Sequence, residues 1–282
     1  MKQLNALAIH DLSCVGRCSL TVALPILSAA GIETSVIPTA VLSTHTGGFQ
    51  DFTYRDLTGD IPEIVRHFSQ LNLGFDALYT GYLGSYAQLE QMSALFDRFA
   101  GPETLVLVDP VMADDGKLYQ NFTPEFAAGM AKLCAKADVI VPNITEAFFL
   151  LGLPYEAPPY GDDRIAELMH ALAGLGKFDI VLTGVSRREE EQGVAVFERS
   201  TGKVATYCLP AIEGVYCGTG DVFASALLAG LLNGISLYRA AAVATDFTTA
   251  AIRSTRKEGR DLRYGVNFER QIPGFLKALH LV

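Results

Sequence analysis

Short apolar runs alternate along the chain with amphipathic stretches. Residues 4–9, 34–37, 77–80, 105–108, 139–141 and 180–183 are brief and aliphatic, and predict buried strands. Between them, residues 20–30, 62–71, 86–99, 124–135 and 164–173 space their apolar positions as helices do. Strand and helix in strict alternation imply a parallel sheet with helices on both faces, because each return to the same sheet edge needs a crossover. The rhythm breaks after Thr183. Residues 193–199 and 204–209, joined by Ser-Thr-Gly-Lys, predict an antiparallel strand pair. Helices over 221–233 and 237–252 follow, with Gly234 as the stop between them, and a last helix over 268–279. The fold class is therefore α/β, three-layer α/β/α, with a mostly parallel central sheet and an antiparallel pair towards the C-terminal half.

Composition narrows the function. With 282 residues, half of them hydrophobic, the chain fills one domain spanning 1–282, and no low-complexity linker or fixed-period repeat divides it. The net charge of −9 disfavours nucleic acid and membrane surfaces, which call for a basic face. An acidic protein that binds a nucleotide must then hold it with helix N-termini, backbone amides and a divalent ion. The five cysteines, odd in number and mostly in apolar surroundings, suit a reducing cytoplasm better than a secreted disulfide framework. The apolar start at 4–9 is too short for a signal peptide, and no run reaches the ~18 to 20 residues of a membrane span.

In an open α/β sheet ligands gather at the carboxyl ends of the strands, which directs attention to His10-Asp11, Thr80-Gly81-Tyr82, Asp109-Pro110, Asn143 and Thr183-Gly184. The strongest local signal is Gly218-Thr219-Gly220-Asp221, opening an apolar helix. Small residues there let successive N–H groups and the helix dipole hold a phosphoryl oxygen, while Asp221 takes a proton from an attacking hydroxyl. The same residues equally suit an ordinary loop with an acid complementing the helix dipole. Asp109 with Asp114 and Asp115 suits a hard cation, or a solvated acidic turn. Asn143 and Glu146 have the spacing of a capping box, and become nucleotide ligands only if the neighbouring loops bind nucleotide. The loop Ser43-Thr44-His45-Thr46-Gly47 suits a small polar ring, with His45 the histidine whose surroundings most resemble a site. No Walker motif and no zinc spacing is present.

Taken in order, Asp109-Pro110-Val111, Asn143-x-x-Glu146 and Gly218-Thr219-Gly220-Asp221 resemble the ribokinase superfamily. Ser43-Thr44-His45-Thr46-Gly47, Thr80-Gly81-Tyr82 and the start from Ile9 to Gly16 are most similar to its pyridoxal and pyridoxamine kinases. The resemblance implies a Rossmann-like sheet and ATP-dependent phosphorylation of the 5′-hydroxymethyl group of a B6 vitamer, with Mg²⁺ and often K⁺. It makes Asp221 the base, lines the anion hole with Gly218 and Gly220, and gives Mg-ATP to Asp114, Asn143 and Glu146, with Asp109 beside the metal. Thr183 and Thr219 approach phosphates or the monovalent ion. Asp11, His45, Thr46, Gly47 and Tyr82 are turned to the ring, and Tyr119 belongs to a covering loop. The resemblance also implies a homodimer. Asp11 stands where many relatives carry serine, which hints at pairing with a protonated ring nitrogen or an amine. A hydroxymethylpyrimidine or sugar kinase is the alternative, and a non-catalytic B6-binding protein a more distant one.

Overall fold

The structure is a computed structural model that describes residues 2–120 and 122–282. The chain divides into two compact units, one running up to Gly81 and resuming at Ile212–Val282, the other Tyr82–Ala211. In the first, β1 (Leu4–Val15), α1 (Leu20–Ala29), β2 (Ile32–Thr44), β3 (Tyr54–Asp56), α2 (Ile61–Gln70) and β4 (Ala77–Thr80) follow one another. The strand order is β3-β2-β1-β4, with β1 parallel to both neighbours and β3 antiparallel to β2. Ala6 to Ile9 and Ala77 to Tyr79 are wholly buried, as a strand covered on both faces requires.

β1 and β2 outrun the apolar segments at 4–9 and 34–37. Their continuations pair in the same ladder, but its register shifts between His10 and Leu12. An irregularity of this kind re-aims side chains, and here it lies beside Asp11. Periodicity hid the extension of β1 because residues 10–13 include buried polar groups (His10, Asp11 and Ser13) rather than an apolar face.

The second unit contains α3 (Tyr86–Phe99), β5 (Leu105–Val108), β6 (Ala113–Asp114), β7 (Lys117–Leu118), α4 (Pro124–Cys134), β8 (Val139–Ile140), α5 (Ile144–Leu151), α6 (Asp162–Ala173), β9 (Asp179–Val185), β10 (Glu191–Glu198) and β11 (Lys203–Pro210). The strand order is β5-β8-β9-β10-β11. β5, β8 and β9 run parallel, and β10 is antiparallel to both its neighbours, as the 193–199 and 204–209 segments predict. The small β6–β7 hairpin, short enough to read as a loop in the sequence, turns on Asp115 and Gly116 at φ 50° and 73°, the two-residue turn that Asp-Gly favours.

The chain then returns to the first unit with α7 (Thr219–Leu232), α8 (Leu237–Glu258) and α9 (Ile272–Ala278). α7 is buried from Val222 to Gly230 and packs on α1 and α8. The terminal helix is shorter than 268–279, because residues 269–271 form a separate 3₁₀ turn. The mostly parallel sheet with an antiparallel pair is the α/β fold expected. Among the described residues no helix is long and apolar enough to cross a membrane.

Candidate active site

In the first unit the chemistry gathers where β1 runs into α1. Asp11 is 4% exposed and accepts hydrogen bonds from the hydroxyls of Ser13 and Ser19. Ser19 precedes α1, a position where serine ordinarily caps the helix. It does not cap here: its hydroxyl is spent on Asp11, and its backbone holds φ 56°, a left-handed value uncommon for a residue with a side chain. That conformation aims the Ser19 N–H at Oδ2 of Asp221, 2.9 Å away. The Cys18 thiol donates to the same oxygen at 3.3 Å.

Asp221 is the third residue of α7, with its side chain 11% exposed. Burial pushes its carboxyl up to about 6, and the charge of Asp11 adds to this, while the Ser19 N–H and the Cys18 thiol oppose it. Burial, with Asp221 and Asp11 adding, also raises the Cys18 thiol well above its ordinary value, so it stays a neutral donor. Both donors occupy Oδ2. Oδ1 faces the buried His10, whose Nδ1 is 4.0 Å away. Ahead of the helix Gly218 holds φ 73°, and a Cβ there would lie 2.0 Å from the Arg17 carbonyl oxygen, so only glycine fits. At Gly220 a Cβ would meet open space, so the fold does not demand that glycine.

The loop after β2 is organised by His45. Its ring is buried, Nδ1 accepts the Gly47 N–H at 3.1 Å, and Nε2 lies 2.5 Å from the Arg263 carbonyl oxygen. Because Nδ1 accepts, Nε2 carries the proton and donates. With both nitrogens taken by backbone groups, His45 pins the loop to the Arg263 backbone. Arg263 adds a second clamp by donating to the Gly48 carbonyl and lying over the Phe49 ring. Thr46 and Gly47 are exposed on this loop, and Gly47 lies near the Cys217 sulfur.

The second unit holds a separate cluster. Asn143 and Glu146 form a complete capping box at the start of α5: the Asn143 side chain accepts the Glu146 N–H and Glu146 accepts the Asn143 N–H, both at 2.8 Å. The other Glu146 oxygen accepts the Met112 N–H at 3.1 Å. Burial pushes this carboxyl up, against the N–H groups that favour its charge. The Asn143 amide donates to the Ala113 carbonyl, and Thr145 accepts the Gly116 N–H, which ties the β6–β7 hairpin to α5. Thr183 donates its N–H to the Pro142 carbonyl beside Asn143. Asp109 is buried at the end of β5, and Asp114 is exposed on the hairpin. Tyr82 and Tyr119 both lie against Phe122, which stacks on Phe126.

The family model described as phosphomethylpyrimidine kinase matches residues 26–265 of this sequence. The chain belongs to that family. It is therefore a small-molecule kinase. A crystal structure from Bacteroides thetaiotaomicron, solved with pyridoxal, is 38% identical, covers 97% of this chain and 96% of its own, and superposes with a TM-score of 0.92. Pyridoxal kinase from Lactobacillus plantarum is 33% identical over 98% of both chains, with a TM-score of 0.90. Pyridoxal kinase PdxY of Rubrobacter xylanophilus is 28% identical over 91% of this chain and 89% of its own.

Within the kinase, the expected residues fall into two groups. Asp11, His45, Thr46, Gly47, Gly218, Thr219, Gly220 and Asp221 lie in the first unit; Tyr82, Asp109, Asp114, Tyr119, Asn143, Glu146 and Thr183 lie in the second. Sequence reasoning missed Ser19, Cys18 and His10 as partners of Asp221. His10 adjoins Asp11, where the apolar run at 4–9 gives way to polar residues within β1, and was within reach of that argument; the contacts of Cys18 and Ser19 span 203 and 202 residues and carry no local signal.

Proposed function

We propose that this kinase transfers the terminal phosphoryl group of ATP to the 5′-hydroxymethyl group of a B6 vitamer, pyridoxal, pyridoxamine or pyridoxine, with Asp221 as general base. The observation that carries the reading is the Asp221 carboxyl: buried, pushed up to about 6, and held through Oδ2 alone, which leaves Oδ1 to accept a proton. It opens a helix capped by glycine, where first-turn N–H groups of Thr219 and Gly220 suit the charge on a phosphoryl oxygen. The pyridoxal in the 38% identical Bacteroides structure supports the substrate class. In this reading Asp11, Thr46, Tyr82 and Tyr119 recognise the ring, and His45 and Gly47 shape its loop.

The nucleotide is assigned to Asn143, Glu146, Asp114 and Thr183. Among the described residues no three His, Cys, Asp or Glu side chains form a metal cage. That donor set still fits Mg²⁺, which needs only one or two carboxylates when waters and phosphates complete its shell. Asp114, exposed on its hairpin, and Asp109 would supply the carboxylates. Glu146, with both oxygens on backbone N–H groups, would act through water. Bound Mg²⁺ neutralises phosphate charge. The proposal includes K⁺ near Thr183 and Thr219, a homodimer, a cytoplasmic setting and one functional domain over 1–282.

The test is ADP release and product formation by the purified protein with Mg²⁺, K⁺ and ATP, given each B6 vitamer, hydroxymethylpyrimidine or ribose. Turnover of a vitamer in preference is the expected result. The family's own description favours one second reading, a phosphomethylpyrimidine kinase, and turnover of hydroxymethylpyrimidine or its phosphate alone would replace the first.

A further inference from the structure

His10 is wholly buried, yet neither ring nitrogen has a hydrogen-bond partner among the described residues. A buried polar atom left unpaired is destabilising, so its surroundings call for an account. The ring stands edge-on to Tyr79, with centroids 4.3 Å apart at 77°. Its Nδ1 edge occupies space that exists only because residue 81 is glycine: a Cβ there would lie 2.2 Å from Nδ1. Nδ1 is 4.0 Å from Oδ1 of Asp221, the oxygen that Ser19 and Cys18 leave free. Burial holds the imidazole neutral, with its titration lowered to about 3. A neutral ring offers a carboxylate nothing through an unprotonated Nδ1. It offers a protonated carboxyl a good acceptor.

We propose that His10 is a positioning residue for Asp221, its Nδ1 lone pair accepting a hydrogen bond from the Oδ1–H group that exists once Asp221 has taken the proton of the substrate hydroxyl. The inference rests on Asp221 being the base. As the substrate O–H bond breaks, its proton passes to Oδ1, its oxygen bonds to phosphorus, and ADP leaves with the electrons of the bond to the transferred group. The Oδ1–H then closes on Nδ1, and His10 gains no proton. The contact is absent in the ground state and present as the base becomes protonated, so it lowers the barrier instead of tightening substrate binding. The titratable groups facing Asp221 are His10 and Asp11 from β1 and Cys18 from the following loop.

Two variants and one measurement on the unaltered protein test this. His10→Asn places a polar atom near the Nδ1 position, and His10→Gln places it near Nε2. The Asn variant is expected to keep kcat within about threefold, and the Gln variant to lose about tenfold in kcat with KM little changed. The acid limb of kcat/KM should move to lower pH in the Gln variant, because protonated Asp221 has lost its acceptor. In the unaltered enzyme, nitrogen NMR of the His10 ring should show Nε2 protonated and Nδ1 bare at neutral pH, a result that needs no variant to fold. A proton on Nδ1, wild-type kinetics in both variants, or a joint loss of kcat and KM with the limb unmoved overturns the proposal. Asp221→Asn separates the two levels: if it stays active the base assignment fails and this inference with it, whereas an inactive Asp221→Asn beside an indifferent His10 removes the inference alone.

Discussion

Two helices of this protein carry an acid at the same place, the third residue, and use it in opposite ways. At α5 the acid is Glu146, which turns back on its own helix: it caps the Asn143 N–H, Asn143 caps it in return, and its second oxygen closes on Met112. At α7 the acid is Asp221, and the residue before the helix is Gly218, which has no side chain with which to cap. Asp221 turns instead to the Ser19 N–H and the Cys18 thiol, some two hundred residues away in sequence. One helix start is closed by local reciprocal bonds; the other is held open, with one carboxylate oxygen anchored and one available. The capping residue decides between them. Asparagine supplies the partner that locks the acid in place, and glycine withholds it.

Substitutions that exploit the contrast should separate a stabilising acid from a working one. The largest effect belongs to Asp221→Ala, for which turnover should fall by about a thousandfold or more while nucleotide binding, followed by calorimetry, persists; near-normal turnover would end its assignment as base. Gly218→Ala comes next. Its Cβ would meet the Arg17 carbonyl oxygen at 2.0 Å with φ at 73°, so urea unfolding should show a loss of about 2–4 kcal/mol. Glu146→Ala orphans the Asn143 and Met112 N–H groups, and about 2–3 kcal/mol of stability should go with it. Should Glu146→Ala unfold like the parent, the capping box would be ornamental.

Asp221→Asn should do the reverse and stabilise the protein above neutrality. The folded carboxyl titrates at about 6, above the ordinary 3.8, so the fold favours its protonated form. That favourable contribution is present below the unfolded value and lost as pH rises through about 6. The amide removes the penalty of a buried charge. Its gain should be on the order of 1–3 kcal/mol at pH 8, and vanish near pH 4, in melting scans across pH. An equal gain at both pH values would mean the carboxylate carries no such penalty. The smallest effect on folding is expected from Gly220→Ala, less than about 1 kcal/mol, because its Cβ meets open space. If the same variant loses turnover, that space belongs to the phosphoryl group.

Much of this architecture was legible from one sequence. The apolar runs at 77–80 and 105–108 became β4 and β5 without adjustment, and the Asn143–Glu146 spacing became a complete capping box. Other features escaped. β1 continues through residues that periodicity assigns to a loop, because His10, Asp11 and Ser13 are buried although polar, and β2 continues through 38–44, where Ala40 and Leu42 join the core. His45 drew attention for its polar neighbours, whereas its decisive partner, the Arg263 carbonyl, lies 218 residues further on.

The sequence by itself determined what nearest neighbours determine: strand and helix type, the capped start of α5, the uncapped start of α7, and the acids at both. These follow from backbone sterics and hydrogen bonds within a few residues of each position. Only the tertiary structure decided that Ser19 would give up capping α1 to hold Asp11 and Asp221, that Cys18 would donate to the same oxygen, and that a buried imidazole would face the other. Those contacts depend on β1 and α7 being packed into one unit, and the chemistry of Asp221 is set by burial and by donors that its own stretch of sequence does not contain.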